Sequence, residues 1–398
     1  MLELRRLAEV DLDDVIAQDE RSFALNYDVA SRLAVTEDLQ AMASGWAVID
    51  AGDVVGFAGA RNQQLTVSTG KAVSMLGLTW VSVAPSHRRR GLAARLIEAV
   101  HVDAADQAAV CLGLVASEGG IYSRFGYGPA TFLRQLEIDR RSARFRPGPA
   151  PRGRVRYLSL PEALRQGPPL YERYRLSQRG AVSRTEAQWT LAGHRHRDAY
   201  WVAHEDETGR LDGLAGYTIE HRFDGSRPAY VLTVHDVFTV TADARRALLT
   251  VLLTTDLVAT VTTSHLPLDD PLVWELEDRR AVTATAERDQ LWLAPLDIPT
   301  LLAARARVDT ASSSVVIEVA GAGRWVVEAA ADDSSVEPTT KPADLTLGRS
   351  EFGSIVLGGT VPSMLVLAGR AAAPSAASLA RVDALFRVDR LPFCNTMF

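Results

Sequence analysis

Between Val81 and Val100 the chain reads VSVAPSHRRRGLAARLIEAV, and its chemistry changes halfway along. The alternation through Val81 and Val83 predicts a strand ending at Pro85, whose backbone N–H and C=O groups stay open to an extended, amide-bearing ligand if the neighbouring strand diverges. Arg88, Arg89, Arg90, Gly91, Leu92 and Ala93 then turn into a helix whose apolar stripe is Leu92, Leu96, Ile97 and Val100. The first amides of a helix lack internal partners and carry the positive end of its dipole, so they suit a pyrophosphate. Gly91 lets such a group approach without a Cβ in the way. Coenzyme A has both parts in that order, an amide-rich pantetheine beside a pyrophosphate. A basic, solvated turn into a surface helix satisfies the same residue types.

Other reactive side chains point nowhere so definite. His194 and His196, with His204 nearby, lack the cysteine or carboxylate that would complete a recognisable metal-ligand pattern, and no metal is expected. Cys111 lies in AVCLGLV, which reads as a buried strand, and with Cys394 it completes the cysteine count of 2, so the chain is no disulfide scaffold.

These features need elements to hold them. LAEVDLDDVIAQDERSF predicts a first helix with Leu7, Val10, Leu12, Val15 and Ile16 roughly on one face. WAVIDAGDVVGFAGARNQQLTV predicts a hairpin about Gly52 and Asp53, MLGLTWVSVAP and AAVCLGLVAS further strands, and the sum is a mixed sheet flanked by helices. RFRPGPAPRGR, without periodicity, reads as a linker. Beyond it a hairpin, the strand YVLTVHDVFTV, the helix of TADARRALLTVLLTTDL and the strand VATVTTSH repeat the order of the first unit. Laying Arg245 and Arg246 on Arg89 and Arg90 puts Ala247 at Gly91 and Thr241 at Pro85, which predicts a degenerate copy without the ligand site. From LWLAPLDIPTLLAARA onward a third, α+β unit is expected, with strands at SSSVVIEVAG and GRWVVEAAA, a turn-rich DDSSVEPTTKPAD and a helix at AASLARVDALF. The expected domains are 1–150, 151–290 and 291–398, in a mixed α/β (α+β) chain.

Composition agrees with a multidomain globular protein: 398 residues, 47% hydrophobic and 23% charged. A formal charge of −6 argues against a general affinity for nucleic acid. No apolar run is long enough to span a membrane and the start lacks a signal-peptide core, so a cytoplasmic location is expected.

VSVAPSHRRRGLAARLIEAV matches the V-x-V-x-P-x-x-R-R-x-G-x-[GA] signature of the GCN5-related N-acetyltransferases (GNAT), and ASEGGIYSRFGYGPAT resembles the narrower Eis (enhanced intracellular survival) family. The resemblance runs the full length and implies tandem GNAT-like domains, the second without a cofactor site, then a sterol-carrier-protein-like (SCP2-like) domain. It implies acetyl-CoA as donor, held by Val81, Ser82, Val83, Arg88, Arg89, Arg90, Gly91, Leu92, Ala93 and Ala94, with Ser117 and Glu118 along the cofactor arm. It implies transfer to primary amines of small polycations such as aminoglycosides, and a homohexamer of two trimers. Transfer from a thioester needs a neutral amine, a stabilised oxyanion and a proton for the thiolate. Tyr122 and Tyr127 both offer that proton, and the resemblance favours Tyr122 as general acid. As general base it implies the terminal carboxylate of Phe398; desolvation would raise that group's low pKa and strengthen it.

The amine pocket departs from the family pattern. Where some members carry a glutamate before the final phenylalanine this chain has Met397, and Asp28 in SFALNYDV is the acidic candidate nearby, so a less acidic pocket and a more apolar amine are expected. Protein lysines are a second class of acceptor. A coenzyme A or lipid binder is a third reading, against which the pairing of Tyr122 with Phe398 speaks.

Overall fold

The computed structural model describes residues 2–305, 313–329 and 334–397. Two seven-stranded sheets and a five-stranded one carry the chain, with a small two-stranded ribbon beside the second sheet. In the first sheet the order is Glu3–Arg6, Ser44–Asp50, Asp53–Ser68, Lys71–Val83, Cys111–Val115, Leu291–Pro295 and Gly128–Pro129. The hairpin turn between the second and third of these falls at Ala51 and Gly52, both with positive φ (52° and 98°), as a two-residue turn matched to strand twist requires.

The second sheet repeats that plan, and each sheet borrows a strand from the other half. Phe132–Asp139, which follows the first unit's last helix, crosses to lie between Val258–Thr263 and Val282–Asp289. Leu291–Pro295 crosses back and pairs antiparallel with Cys111–Val115, Leu291 opposite Val115. The chain changes sheet near 131 and near 290, so the expected boundary at 150 divides the second sheet from one of its own strands. The stretch LWLAP is a strand of the first sheet, not the start of the third unit. Neither half can close its sheet alone.

The first long helix is Leu12–Phe23, capped by Asp11, and Leu7 and Val10 precede it because Leu7–Glu9 forms a separate tight turn. A second helix, Val29–Gln40, and the edge strand Glu3–Arg6 were not anticipated; the helix has almost no amphipathic periodicity to read. In the third domain, the stretch read as turn-rich contains the strand Ser334–Pro338.

The third domain shares a core with the first half. Leu65, Met75 and Cys111 from the first sheet join Val315, Ile317, Phe352, Leu385 and Phe386 in one buried cluster. Cys111 is therefore packing, with burial pushing its thiol up to about 12. The contact is close at Gly128, where a Cβ would fall 1.8 Å from the Ser350 carbonyl oxygen. That docking carries the end of the chain back toward the first two sheets.

Candidate active site

The strand Lys71–Val83 pairs along one edge with Asp53–Ser68, but Phe57 faces Ser82 while Gly59 faces Thr79. Trp80 and Val81 thus oppose the single residue Ala58, a β-bulge with Trp80 at φ 58°, a backbone setting that large side chains rarely take. Along the other edge, pairing with Cys111–Val115 is parallel and covers only Met75, Leu76 and Gly77. From Leu78 to Val83 the two strands diverge, and one backbone edge has no strand partner. The condition set in the sequence analysis for an open edge is met.

Trp80 does not hold this setting unaided. Its indole Nε1 donates to Asp38 Oδ2 (3.3 Å), and Asp38 forms a buried ion pair with Arg61 of the adjacent strand. Both members of that pair are almost wholly buried, at 1% and 4% exposure, so the bulge leans on a fixed charged support.

Past Pro85 the chain makes a short 3-10 turn and an exposed loop, Arg88 to Arg90, before the helix Leu92–Asp106. Its N-cap is Gly91, at φ 76°, with no side chain satisfying the first amides and nothing within 4 Å of where a Cβ would project. Arg89, at φ 62°, shares the left-handed turn. Leu92 points into the core while Ala93 and Ala94 are half-buried, so any contact Leu92 makes with a ligand is through its backbone. Ser82 is buried, and its hydroxyl has no hydrogen-bond partner among the described residues.

The second half closes the equivalent place with its own groups. There the helix Ala242–Thr254 is capped by Thr241, whose hydroxyl accepts from the Ala244 N–H at 3.1 Å. Arg245 and Arg246 lie inside that helix rather than ahead of it, which corrects the register drawn through the arginine pairs: Thr241, not Ala247, stands where Gly91 does. Arg245 is tied to Asp270 (2.5 Å) and Glu275 (2.6 Å), and Arg246 stacks on Phe145.

Tyr122 and Tyr127 separate clearly. Their rings pack edge to face at 6.1 Å, but only Tyr122 lines the cavity described next. Burial is the main cause raising the Tyr122 phenol above its ordinary pKa; Ser117 hydrogen-bonds it and pulls the other way, and Glu118 adds to the rise. A phenol so placed stays protonated at neutral pH, as a proton donor must. Tyr127 is fully buried, its hydroxyl 3.1 Å from His101 Nε2, and burial pushes its pKa well above the usual value. Burial also lowers His101 to about 4, so the ring is neutral and the pair is a packed hydrogen bond inside the core.

A cavity of about 370 Å³ joins the two halves. Thr79, Trp80 and Val81 of the bulge, Leu114 and Val115 of the diverging strand, Ser117 and Tyr122 form one wall. The other wall comes from the second half: Trp189 and Arg195 of the helix Glu186–Arg195, His196, Trp201, His235, Asp236 and His265. Of the site residues expected from the sequence, Val81, Ser117 and Tyr122 meet here. Glu118 is exposed beside them, and the arginine loop lies outside the cavity lining.

The end of the chain enters this cavity. Phe393 to Thr396 are buried, and Asn395, Thr396 and Met397 line the space. Tyr171 hydroxyl meets Thr396 Oγ1 at 2.7 Å, Arg184 donates to the Asn395 carbonyl at 3.1 Å, and Gln188 donates to the Met397 carbonyl at 3.2 Å. Phe398 itself lies outside the described residues.

The acidic groups were not legible in advance. Asp28 caps the helix Val29–Gln40 and pairs with Arg197 at 2.8 Å, outside the cavity lining. Among the described residues, the carboxylates of the cavity are Asp19 and Asp236. Asp236 pairs with Arg184; Asp19, on the first helix, accepts from the Tyr27 hydroxyl at 2.9 Å, and burial raises it to about 6. The histidines were read only as possible metal ligands. His196 stacks on His235 at 4.2 Å, whereas His204 sits elsewhere between Asp212 and the Arg152 carbonyl. Alternation along YVLTVHDVFTV would set the adjacent His235 and Asp236 on opposite faces; both line the cavity at a β-bulge, where Gly216 faces Asp236 and Tyr217 faces Val234, and no local pattern announces that bulge.

Residues 3–130 match the acetyltransferase (GNAT) domain family, residues 180–293 a second acetyltransferase (GNAT) domain family, and residues 298–395 the sterol carrier protein domain family. The N-acetyltransferase Eis of Mycobacterium tuberculosis (strain ATCC 25177 / H37Ra) is 34% identical over 350 residues, spanning 85% of this chain and 84% of its own length. The chain belongs to the Eis family of N-acetyltransferases. The crystal structure of Eis1 from Mycobacterium abscessus superposes with a TM-score of 0.86 at 29% identity, covering 100% of both chains. An uncharacterized N-acetyltransferase of Streptomyces griseus is 31% identical over 358 residues, 84% of this chain and 85% of its own. A GCN5-related N-acetyltransferase from Anabaena variabilis, at 19% identity and a TM-score of 0.85 over 100% of both chains, shares the fold. As an Eis-type protein this chain is an acetyltransferase with two GNAT domains and a sterol-carrier-like third. The matched segments end at 130 and 293, close to the points where the chain changes sheet.

Proposed function

We propose that this chain transfers the acetyl group of acetyl-CoA to a primary amine of a small molecule, with Tyr122 as general acid and the carboxylate of Phe398 as general base. The observation that carries the reading is the convergence of three features on one cavity: the diverging strands with their bulge, the Tyr122 phenol, and the tail, buried from Phe393 to Thr396, whose Asn395, Thr396 and Met397 line the space.

The residues present fit the donor. The unpartnered edge from Leu78 to Val83 suits an amide-bearing arm, and the uncapped helix start at Gly91 suits a pyrophosphate, with the exposed Arg88, Arg89 and Arg90 beside it. Backbone amides at the bulge polarise the thioester carbonyl; the carboxylate takes a proton from the amine as the C–N bond forms; Tyr122 gives its proton to the departing sulfur. Holding the reactants together supplies several kcal/mol of the barrier reduction. Aminoglycosides are the small-molecule amines that the family resemblance offers, and a homohexamer is the assembly it offers. A space walled by both halves and lined by the tail favours a small molecule over a folded protein bearing a lysine.

Thiol release from acetyl-CoA, followed over a panel of amines, tests this with the native chain and one lacking only Phe398. Turnover by the first and loss of most of it in the second, with coenzyme A binding intact, is expected. Equal rates remove Phe398 from the mechanism. No turnover with any amine refutes the reading.

A further inference from the structure

The second half holds the end of the chain residue by residue. Arg184 donates to Thr396 Oγ1 at 3.3 Å as well as to the Asn395 carbonyl, and Asn395 Nδ2 donates to Asp236 at 3.2 Å. Arg184 is itself fixed, by its ion pair with Asp236 and by lying 4.1 Å over the Tyr171 ring. These contacts settle Asn395 and Thr396. One residue further on, the hold on the backbone comes from Gln188, whose Nε2 donates to the Met397 carbonyl at 3.2 Å.

An amide side chain presents an oxygen on one side and an NH2 on the other, and here backbone groups decide which faces where. Gln188 Oε1 accepts from the Thr185 N–H at 3.0 Å, as part of the capping box of the helix Glu186–Arg195. It also accepts from Gln63 Nε2 at 3.2 Å, and that nitrogen donates again to the Ser183 carbonyl at 3.0 Å. An N–H can only donate and a carbonyl only accept, so both glutamines have a fixed sense and Nε2 of Gln188 is the end turned to Met397. Both are buried. Gln63 belongs to the strand Asp53–Ser68, so this file of amides runs from the first sheet to the tail.

The carbonyl held in this way is part of the planar peptide unit that joins Met397 to Phe398. Only rotation about the Phe398 N–Cα and Cα–C bonds separates that plane from the terminal carboxylate. We propose that Gln188, oriented by Gln63 and Thr185, is a positioning residue for that carboxylate, fixing the last peptide so that the base meets the amine. This rests on the reading of Phe398 as general base. It gives the second half, which caps its own helix start with Thr241, a part in the reaction.

Gln188→Glu tests this with little change of shape, because glutamate keeps both acceptor contacts and the capping box and loses only the donor to Met397. Gln188→Met, which removes the whole amide, is its companion. At mildly alkaline pH, where the new carboxyl is ionised, kcat falls between about tenfold and about a hundredfold in both variants, as for a catalytic group displaced by up to about 1 Å, while KM for acetyl-CoA holds. In the chain lacking Phe398 the same substitutions change the remaining rate by less than about twofold, since the group they act through is gone. A direct contact between Gln188 and the amine, which its place in the cavity lining would allow, slows both backgrounds alike and overturns the proposal. Native rates in both variants beside a slow truncation overturn the positioning role and leave Phe398 as base; equal rates in native and truncated chains overturn both. Release of Phe398 by carboxypeptidase, followed by mass, needs no turnover, and it quickens by about tenfold or more in both variants as the last peptide is freed. Unchanged release overturns the proposal. If no amine is acetylated the transfer reading falls, and the release rates alone uphold or overturn the hold on the last peptide.

Discussion

Replacing a tyrosine by phenylalanine should have opposite consequences at two positions whose rings touch. Tyr122→Phe removes a hydroxyl that lines the cavity and is bonded to the exposed Ser117. Ser117 can turn to water, so folding loses about 0.5–1.5 kcal/mol at most. The transition state loses its proton donor, which is typically worth about 10²–10⁴ in rate. Tyr127→Phe removes a hydroxyl that never reaches the cavity but leaves the Nε2 of half-buried His101 without its 3.1 Å partner. An orphaned buried group costs about 1–3 kcal/mol, so the unfolding midpoint falls by a few degrees while kcat changes little. The assays are thiol release at saturating acetyl-CoA and amine, and a thermal melt on the same preparations. If Tyr122→Phe keeps its rate within about threefold of native, or if Tyr127→Phe slows turnover as much as Tyr122→Phe does, the assignment of the two phenols is wrong.

Asp38→Asn leaves the Arg61 charge buried without its counter-ion and is expected to destabilise the fold by about 3–5 kcal/mol, read as a lowered melt; adding Arg61→Met recovers part of that loss, and no recovery would show that the pair itself is not what supports the bulge. Gly91→Val places a β-branched side chain at φ 76° and a Cβ over the first helix amides, so KM for acetyl-CoA rises at least tenfold with a modest stability loss of about 1–2 kcal/mol; an unchanged KM would move the pyrophosphate elsewhere. Because the folded-state pKa of Asp19 is raised, its charge is lost as pH falls through about 6, so KM for a cationic amine climbs below that pH in the native chain and is flat in Asp19→Asn. Light scattering is expected to give the mass of six chains; a monomer would remove the hexamer from the proposal.

Local chemistry made the elements of the proposed cofactor side legible. Strand alternation through Val81 and Val83, the stop at Pro85, and Gly91 ahead of a helical stripe each act over a few residues, so their consequences survive whatever the rest of the chain does. The same holds for the hairpin at Ala51 and Gly52 and for Cys111 as a core residue. Arg245 and Arg246 mark where this reasoning ends, for two arginines look alike in a sequence whether they precede a helix or lie inside it. Only the hydrogen bond from Ala244 N–H to Thr241 distinguishes the two cases.

Contacts between residues far apart in the chain decided the remainder. Phe132–Asp139 and Leu291–Pro295 read as ordinary strands, and nothing within five or eight residues says which sheet will take them; pairing energy with a distant partner does. The amine side of the cavity is assembled from the first helix, the helix Glu186–Arg195, the strand holding His235 and Asp236, and the end of the chain. Which carboxylates remain free there depends on whether an arginine from another strand arrives to neutralise them, as Arg61 does for Asp38 and Arg184 for Asp236, and as none does for Asp19 among the described residues. The sequence by itself thus determined most of the elements and the backbone features of the proposed donor site, because backbone amides and helix ends are local properties. Tertiary structure alone decided what faces that donor, because charge neutralisation and burial are sums over neighbours that the chain brings together only by folding.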